Sequence, residues 1–260
     1  YIPNTSINQN TLVIVSSYSG NTEETLSYYH SAKELTNNIF GITSGGKLLE
    51  ALKNDNKSYY ILPEGYPPRS ATGYALTVLV RLLDSSLLED ISVDLLQSYS
   101  DKLSLEESTA HVLAKKIYPT IPIIVTEESL TSVGFRLKSQ LNENSKMLSY
   151  NITLPEMNHN EIVGWQGKEI DKNALSLVWI DIRYNKNIKR MNITNNILKD
   201  RVVSNNHIDV PSEIASHRLT SCLYLVNYVD WLSYWCAYSH NVDIMNIDNI
   251  DILKESIDRD

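Results

Sequence analysis

Hydroxyl side chains crowd the stretch from residue 17 to residue 22, which follows a short apolar run. Ser17, Ser19 and Thr22 offer hydrogen-bond donors, and Gly20 lets the backbone turn sharply and approach a bound group. Two glutamates then open a helical pattern, and a helix N-terminus presents unpaired N–H groups and partial positive charge to an anion. The spacing therefore predicts an anion-binding loop. The alternative is a serine-rich turn in which the asparagine or threonine of the run caps the helix.

Two further side chains are suited to a proton-transfer reaction, one as a stabiliser of negative charge and one as a base. Arg69 follows the apolar run at 59–62, where it would stabilise negative charge developing on a substrate; the alternative is a surface arginine paired with a neighbouring carboxylate. Glu143 ends an amphipathic helical pattern within Asn-Glu-Asn-Ser-Lys, residues 142–146. A partly buried carboxylate can act as a general base. The alternative for Glu143 is a solvated residue at a helix end.

A polar stretch from residue 154 to residue 165 contains His159 beside two asparagines and close to Trp165. Buried amides and imidazoles need hydrogen-bond partners, so this cluster indicates a site. A hydrogen-bonded turn with a structural histidine is the alternative. Lys254 lies in a short helical pattern near the end and, taken alone, is interpreted as a surface lysine.

Strand and helix patterns alternate along the chain and would position these residues. Because alternating strands and helices form parallel sheets, and ligands bind outside the carboxyl ends of their strands, the chain is predicted to be an α/β protein. Two units in tandem are expected, residues 1–116 with a linking helical stretch over 71–116 and residues 117–260. The predicted strands are 12–15, 39–43, 59–62, 121–125, 147–154 and 175–182, and the other predicted helices are 23–35, 47–52, 130–141, 215–238 and 250–257.

Composition limits the possible partners. The 260 residues carry a net charge of −8, the wrong sign for a general binder of nucleic acid or anionic membranes, so an anionic ligand must be held by local donors. No apolar run reaches the roughly 18 residues of a membrane span. Cys222 and Cys236 are predicted to be buried free thiols, which suits the cytoplasm. No metal is predicted, since His30, His111, His217 and His240 are interpreted as structural residues.

Several separate segments resemble one family. Residues 17–25, Ser-Tyr-Ser-Gly-Asn-Thr-Glu-Glu-Thr, resemble the phosphate loop of sugar isomerase (SIS) domains, and within that superfamily the chain resembles the bifunctional phosphoglucose/phosphomannose isomerases. The segments around Arg69, Glu143, His159 and Lys254 match as well. The resemblance implies two tandem SIS-type, flavodoxin-like parallel sheets flanked by helices.

The resemblance also implies roles for these residues. The reaction would interconvert glucose 6-phosphate or mannose 6-phosphate with fructose 6-phosphate through a cis-enediol, without a cofactor. Ser17, Ser19 and Thr22 would hold the phosphate. Glu143 would move the proton, Arg69 would stabilise the enediolate, and His159 and Lys254 would assist ring opening. In relatives the histidine reaches the active site of the neighbouring subunit, so a homodimer is expected.

Two departures from the family pattern qualify this reading. Family members open with a strand and a Gly-Gly-Ser loop that the sequence shown does not include, so the first sheet is expected to lack a strand and the chain to bind sugar phosphate weakly and isomerise slowly. Residues 243–246, Asp-Ile-Met-Asn, replace an Asp-Pro-Thr-Pro-like stretch, which leaves the preference for glucose or mannose open. The alternatives are a non-catalytic SIS module that senses sugar phosphates and an isomerase of another phosphosugar.

Overall fold

The computed structural model describes residues 6–169, 171–182 and 187–257, with residues 254 and 255 described by their backbone alone. Two compact units divide the chain, residues 1–89 and 90–260. Within both units the strands pair in parallel, as the alternating pattern predicted. The α/β class of the fold is therefore confirmed.

The first unit contains a three-stranded sheet in the order β1-β2-β3. Alternate residues of β1, Val13 and Val15, are buried against two helices together with Leu48 and Leu52. Gly41 allows this close packing, because a Cβ atom at that position would lie 2.1 Å from Leu52 Cδ1. The elements are β1 (Val13–Ser16), α1 (Glu23–Lys33), β2 (Ile39–Thr43), α2 (Gly46–Asn54), β3 (Ser58–Ile61) and α3 (Thr72–Leu83).

The second unit contains a four-stranded sheet in the order β5-β4-β6-β7. Its largest buried cluster joins the sheet to the long helix α9, where Leu225, Val229 and Leu232 are fully buried. The elements are α4 (Val93–Leu103), α5 (Thr109–Ile117), β4 (Ile121–Glu127), α6 (Thr131–Ser145), β5 (Tyr150–Leu154), α7 (Glu161–Gly164), β6 (Leu175–Asp181), α8 (Ile188–Leu198), β7 (Ser204–Asp209), α9 (Arg218–His240) and α10 (Asp248–Ile257).

The helical stretch predicted over 71–116 consists of three helices rather than one. α3 ends at Leu83, and the Asp84 carboxylate then accepts from the N–H of Ser86 to begin a short 3-10 turn. α4 and α5 follow and pack with α9, so they belong to the second unit. The contacts thus divide the chain between Glu89 and Asp90, whereas the predicted domain boundary lies between 116 and 117. An amphipathic pattern shows that a helix is covered on one face but not which element covers it.

Three elements of the second unit, α7, α8 and β7, have no counterpart among the predicted ones. β7 begins with polar residues, and its amides are used inside the unit: the Asn205 Oδ1 atom accepts from the Trp179 indole N–H at 2.8 Å, and the Asn206 side chain donates to the Leu177 carbonyl at 3.3 Å. Burial lowers the pKa of His207 on the same strand below its usual value. A strand of amides lacks the apolar alternation by which strands are found in a sequence.

None of the helices in the described ranges combines the length and apolar composition needed to cross a lipid bilayer.

Candidate active site

The predicted phosphate loop lies at the carboxyl end of β1 and leads directly into α1. Ser17 is buried, and its hydroxyl lies 2.8 Å from the Thr22 hydroxyl and accepts from the Gly20 N–H at 3.1 Å. Ser19 is exposed, and its hydroxyl accepts from the Asn21 N–H at 3.2 Å. The structure therefore gathers the three predicted hydroxyls around one turn at a helix N-terminus.

The capping alternative for this loop is not what the structure shows. Thr22 occupies the N-cap position of α1 but makes no side-chain capping hydrogen bond. The Asn21 side chain instead accepts from the N–H of Lys47 at 3.1 Å, in the first turn of α2. The exposed carboxylates of Glu23 and Glu24 lie in the first turn of α1, where they share the positive end of the helix with any bound anion.

Sequence reasoning missed the loop that follows β2. Ser44 is buried, and its N–H and its hydroxyl both donate to the Tyr18 carbonyl, at 2.9 and 2.6 Å. The two loops touch so closely that a Cβ atom at Gly20 would lie 1.8 Å from the Gly45 carbonyl oxygen, and one at Gly46 would lie 2.3 Å from the Ser19 carbonyl oxygen. The available signal was a Ser-Gly-Gly run between a strand pattern and a helix pattern.

Arg69 lies in a short 3-10 turn, Pro68–Ser70, that follows β3 and precedes α3. It is half-buried, and its carbonyl accepts from the Thr72 hydroxyl at 3.3 Å. Nearby, a hydrogen bond with the Tyr66 hydroxyl raises the pKa of Tyr74 above its usual value. The carboxyl ends of parallel strands share one edge of a sheet. Arg69, which follows β3, is therefore at the same edge as the hydroxyl cluster that follows β1.

Glu143 lies near the C-terminus of α6 and is half-buried. Its neighbours tie that end to α9: the Asn144 side chain donates to the Ser233 hydroxyl at 2.9 Å, and the Ser145 hydroxyl donates to the Ser233 carbonyl at 2.7 Å. Lys146, in the left-handed conformation, ends the helix and donates to the carbonyls of Glu143 and Asp243, at 2.9 and 2.7 Å. The segment is therefore held in place rather than frayed into solvent.

A cavity of about 240 Å³ lies beside Glu143. It is lined by the end of α6, by Asn246 and by the start of α10. Lys254 lies on α10, but its side chain is outside the described part of the structure. The backbone thus brings the helix that carries Lys254 to the cavity that Glu143 lines.

His159 is exposed and ends a short 3-10 turn after β5. Glu143 and His159 lie at opposite ends of the second sheet, because α6 returns to the amino end of β5 whereas His159 follows its carboxyl end. At roughly 3.3 Å per residue, the five residues of β5 alone separate these ends by about 13 Å. The structure therefore does not bring His159 to Glu143 within one chain.

Within the described residues, no cluster of three or more His, Cys, Asp or Glu side chains could hold a metal ion.

The parallel α/β units with a hydroxyl-rich loop at a helix N-terminus define a SIS-domain protein. Residues 106–257 match the family model described as the bacterial phospho-glucose isomerase C-terminal SIS domain. The chain is 34% identical over 254 residues to the bifunctional phosphoglucose/phosphomannose isomerase of Aquifex aeolicus, covering 96% of this chain and 77% of that protein. The chain therefore belongs to the bifunctional phosphoglucose/phosphomannose isomerase family.

Two other comparisons broaden this result. Over 159 residues, 60% of this chain and 52% of the relative, the chain is 36% identical to the D-glucosamine-6-phosphate 4-epimerase of Sulfolobus acidocaldarius. The crystal structure of a glucose-6-phosphate isomerase like protein from Thermus thermophilus superposes with a TM-score of 0.61 at 16% identity, covering 98% of this chain and 89% of that one. At that identity the superposition supports the fold.

Proposed function

We propose that the chain interconverts glucose 6-phosphate or mannose 6-phosphate with fructose 6-phosphate through a cis-enediol. The observation that carries the proposal is the setting of Glu143, a half-buried carboxylate that lines a cavity at a helix end held by hydrogen bonds to α9. A module that only binds sugar phosphates needs no such carboxylate. Membership of the isomerase family supports the same conclusion.

The loop after β1 binds the substrate phosphate in this proposal. The hydroxyls of Ser17 and Thr22 already face each other, and rotation of both toward a phosphate would supply donors beside the unpaired N–H groups of α1. Ser19 is exposed at the same turn and adds a third donor. These contacts hold the end of the sugar that does not react.

The proton transfer follows from the chemistry of the open-chain sugar. Glu143 removes the proton from C2 of the aldose, which leaves an enediolate whose negative charge the Arg69 guanidinium stabilises. The proton of the C2 hydroxyl passes to the oxygen on C1, and protonated Glu143 delivers a proton to C1, which yields the ketose. Electrons are thus redistributed within the substrate, and no outside oxidant is needed. His159 and Lys254 assist the earlier opening of the ring by exchanging protons at its oxygen.

The opposite placement of Glu143 and His159 supports a homodimer in which His159 completes the partner's site. The surface beside the His159 turn suits a partner, because Val163, Ile193 and Ile197 expose more than half of their surface there. We place the enzyme in the cytoplasm, where its two free thiols would stay reduced.

Replacing Glu143 by Gln tests the proposed base. The variant keeps the size and hydrogen-bonding shape of the side chain but cannot accept the proton, so we expect exchange of solvent tritium into C2 to disappear while the affinity for inorganic phosphate stays within about twofold. Glu128→Gln is the matched control: it makes the same change at an exposed glutamate just before α6 and should keep the wild-type exchange. Retained tritium exchange in Glu143→Gln would refute the assignment.

A substrate panel separates this function from its rivals. Wild-type chain would be assayed with glucose, mannose and fructose 6-phosphates, with a pentose 5-phosphate and with D-glucosamine 6-phosphate, which is included because one relative is a 4-epimerase of that compound. We expect turnover of the hexose phosphates to fructose 6-phosphate or back. Binding without turnover of any member would favour the sensing module, and turnover confined to another sugar would favour the second rival.

A further inference from the structure

The phenol of Tyr18 lies between the phosphate-binding loop and the segment that leads to Arg69. Its hydroxyl donates to the Pro63 carbonyl at 2.8 Å and accepts from the N–H of Tyr66 at 3.0 Å. A single side chain of the loop after β1 thus satisfies one acceptor and one donor of the loop after β3. This link joins residues that are more than forty positions apart in the chain.

The main chain of the same residue holds the loop after β2. The Tyr18 carbonyl accepts both the N–H and the hydroxyl of Ser44. Tyr18 is also flanked by Ser17 and Ser19, two of the hydroxyls assigned to the phosphate. The three loops at the carboxyl edge of the first sheet therefore meet at Tyr18.

The path from the Tyr66 amide to Arg69 is short and stiff. Only Pro67 and Pro68 stand between the two residues, and each proline ring restricts its own φ angle. The turn is closed by Ser70, whose N–H and hydroxyl both donate to the Pro67 carbonyl, at 2.9 and 2.8 Å. A shift of the Tyr66 amide would therefore be carried to Arg69, because few free dihedral angles remain to absorb it.

We propose that Tyr18 is a positioning residue that sets the distance between the phosphate-binding hydroxyls and the Arg69 guanidinium. The inference rests on the proposed function, in which the phosphate and the developing enediolate lie at opposite ends of one sugar. The length of the sugar fixes the distance between its phosphate and its enediolate. A guanidinium displaced relative to the phosphate loop would therefore lie too far from the enediolate to stabilise its charge well. Tyr18 acts through Arg69 and does not touch the reacting atoms.

Tyr18→Phe in the full chain tests the proposal, since it keeps the ring and removes both hydrogen bonds. We expect kcat to fall about tenfold with KM changed by less than about twofold, the pattern of an interaction used only in the transition state. The affinity for inorganic phosphate should be unchanged. The affinity for 5-phospho-D-arabinonate, whose carboxylate carries charge where the enediolate does, should fall about tenfold.

A double-mutant cycle separates positioning from general loss of structure. Because Tyr18 acts through Arg69, adding Tyr18→Phe to Arg69→Ala should reduce kcat no further. Tyr29→Phe is the matched control: Tyr29 is buried in the same unit and donates to Asp55 at 2.6 Å, so its variant should lower stability yet leave kcat and the effect of Arg69→Ala unchanged. Additive losses for Tyr18→Phe and Arg69→Ala would overturn the proposal.

Hydrogen exchange at the Tyr66 amide gives a readout that does not depend on activity. Loss of the Tyr18 acceptor should speed that exchange, and an unchanged rate would overturn the positioning role. If the wild-type chain isomerises hexose phosphates and Tyr18→Phe matches it, only the positioning role fails. If the wild-type chain isomerises none of them, the proposed function itself fails, whatever the exchange rate.

Discussion

At the scale of single residues, the close approach of the loops after β1 and β2 requires glycine at two positions of the first unit. Gly20 has a φ angle of +68°, and its Cα faces the Gly45 carbonyl so closely that no side chain fits. Gly46 meets the Ser19 carbonyl in the same way. Glycines on two different loops therefore allow the hydroxyls of the phosphate loop to take their positions. The sequence pattern identified the glycine in the loop after β1 but not the one after β2.

Gly20→Ala is predicted to distort the phosphate loop. A Cβ atom there would clash with the Gly45 carbonyl and would also disfavour the positive φ. We therefore expect the free energy of unfolding of the first unit to fall by about 1–3 kcal/mol. The affinity for inorganic phosphate should fall at least about tenfold. Urea unfolding and phosphate titration measure the two effects. The matched control is Gly73→Ala, where a Cβ atom would meet open space on α3 and stability should be unchanged or slightly raised. Equal behaviour of the two variants would contradict this account.

At the scale of elements, the packing of α6 on α9 decides the position of Glu143. The Arg136 guanidinium donates twice to the Asp230 carboxylate, at 2.8 and 2.6 Å, and the Gln140 side chain donates to the same carboxylate at 2.8 Å. Further along, Asn144 and Ser145 contact Ser233. Because the charged contacts are only partly exposed, they hold the two helices in one register more firmly than a surface ion pair would.

Asp230→Ala should therefore destabilise the second unit by about 2 kcal/mol, since it leaves a partly buried guanidinium without its carboxylate. A lower urea midpoint would report the loss, and kcat should fall with it because Glu143 lies at the end of α6. Lys115→Ala is the matched control, because it breaks an ion pair whose two side chains, Lys115 and Glu107, are 50% and 72% exposed. It should lower the free energy of unfolding by less than about 1 kcal/mol. A larger loss for the control than for Asp230→Ala would reject this reasoning.

The elements also show where sequence patterns stop being informative. Apolar alternation and helical spacing indicated β1, β2, β4 and β6 and the long helix α9, all of which the structure contains. β7 was missed because amides paired with Trp179 and Leu177 replace apolar alternation. The breaks between α3, α4 and α5 depend on local capping and on packing with α9, which no periodicity records.

For the whole molecule, the separation of Glu143 from His159 makes a prediction about subunits. If His159 completes the partner's site, a dimer that combines one Glu143→Gln subunit with one His159→Ala subunit has one defective site and one site with both residues intact. Mixing the two inactive variants after joint unfolding and refolding should therefore restore about a quarter of wild-type activity, because half of the dimers are mixed and each has one active site. Each variant refolded alone is the control. Absence of recovery in mixtures shown to contain mixed dimers would place His159 in its own chain's site.

The sequence by itself determined which chemical groups follow which strands: the hydroxyls after β1, Arg69 after β3, Glu143 at the end of α6 and His159 after β5. Those assignments depend only on local periodicity and residue type, which a linear pattern records. Only the tertiary structure decided how the groups are held. The phenol of Tyr18 reaches the loop before Arg69, the glycines allow two loops to touch, and the two ends of β5 keep Glu143 and His159 apart. These are contacts and separations between residues distant along the chain, set by hydrogen bonds and strand direction that exist only once the sheets have formed.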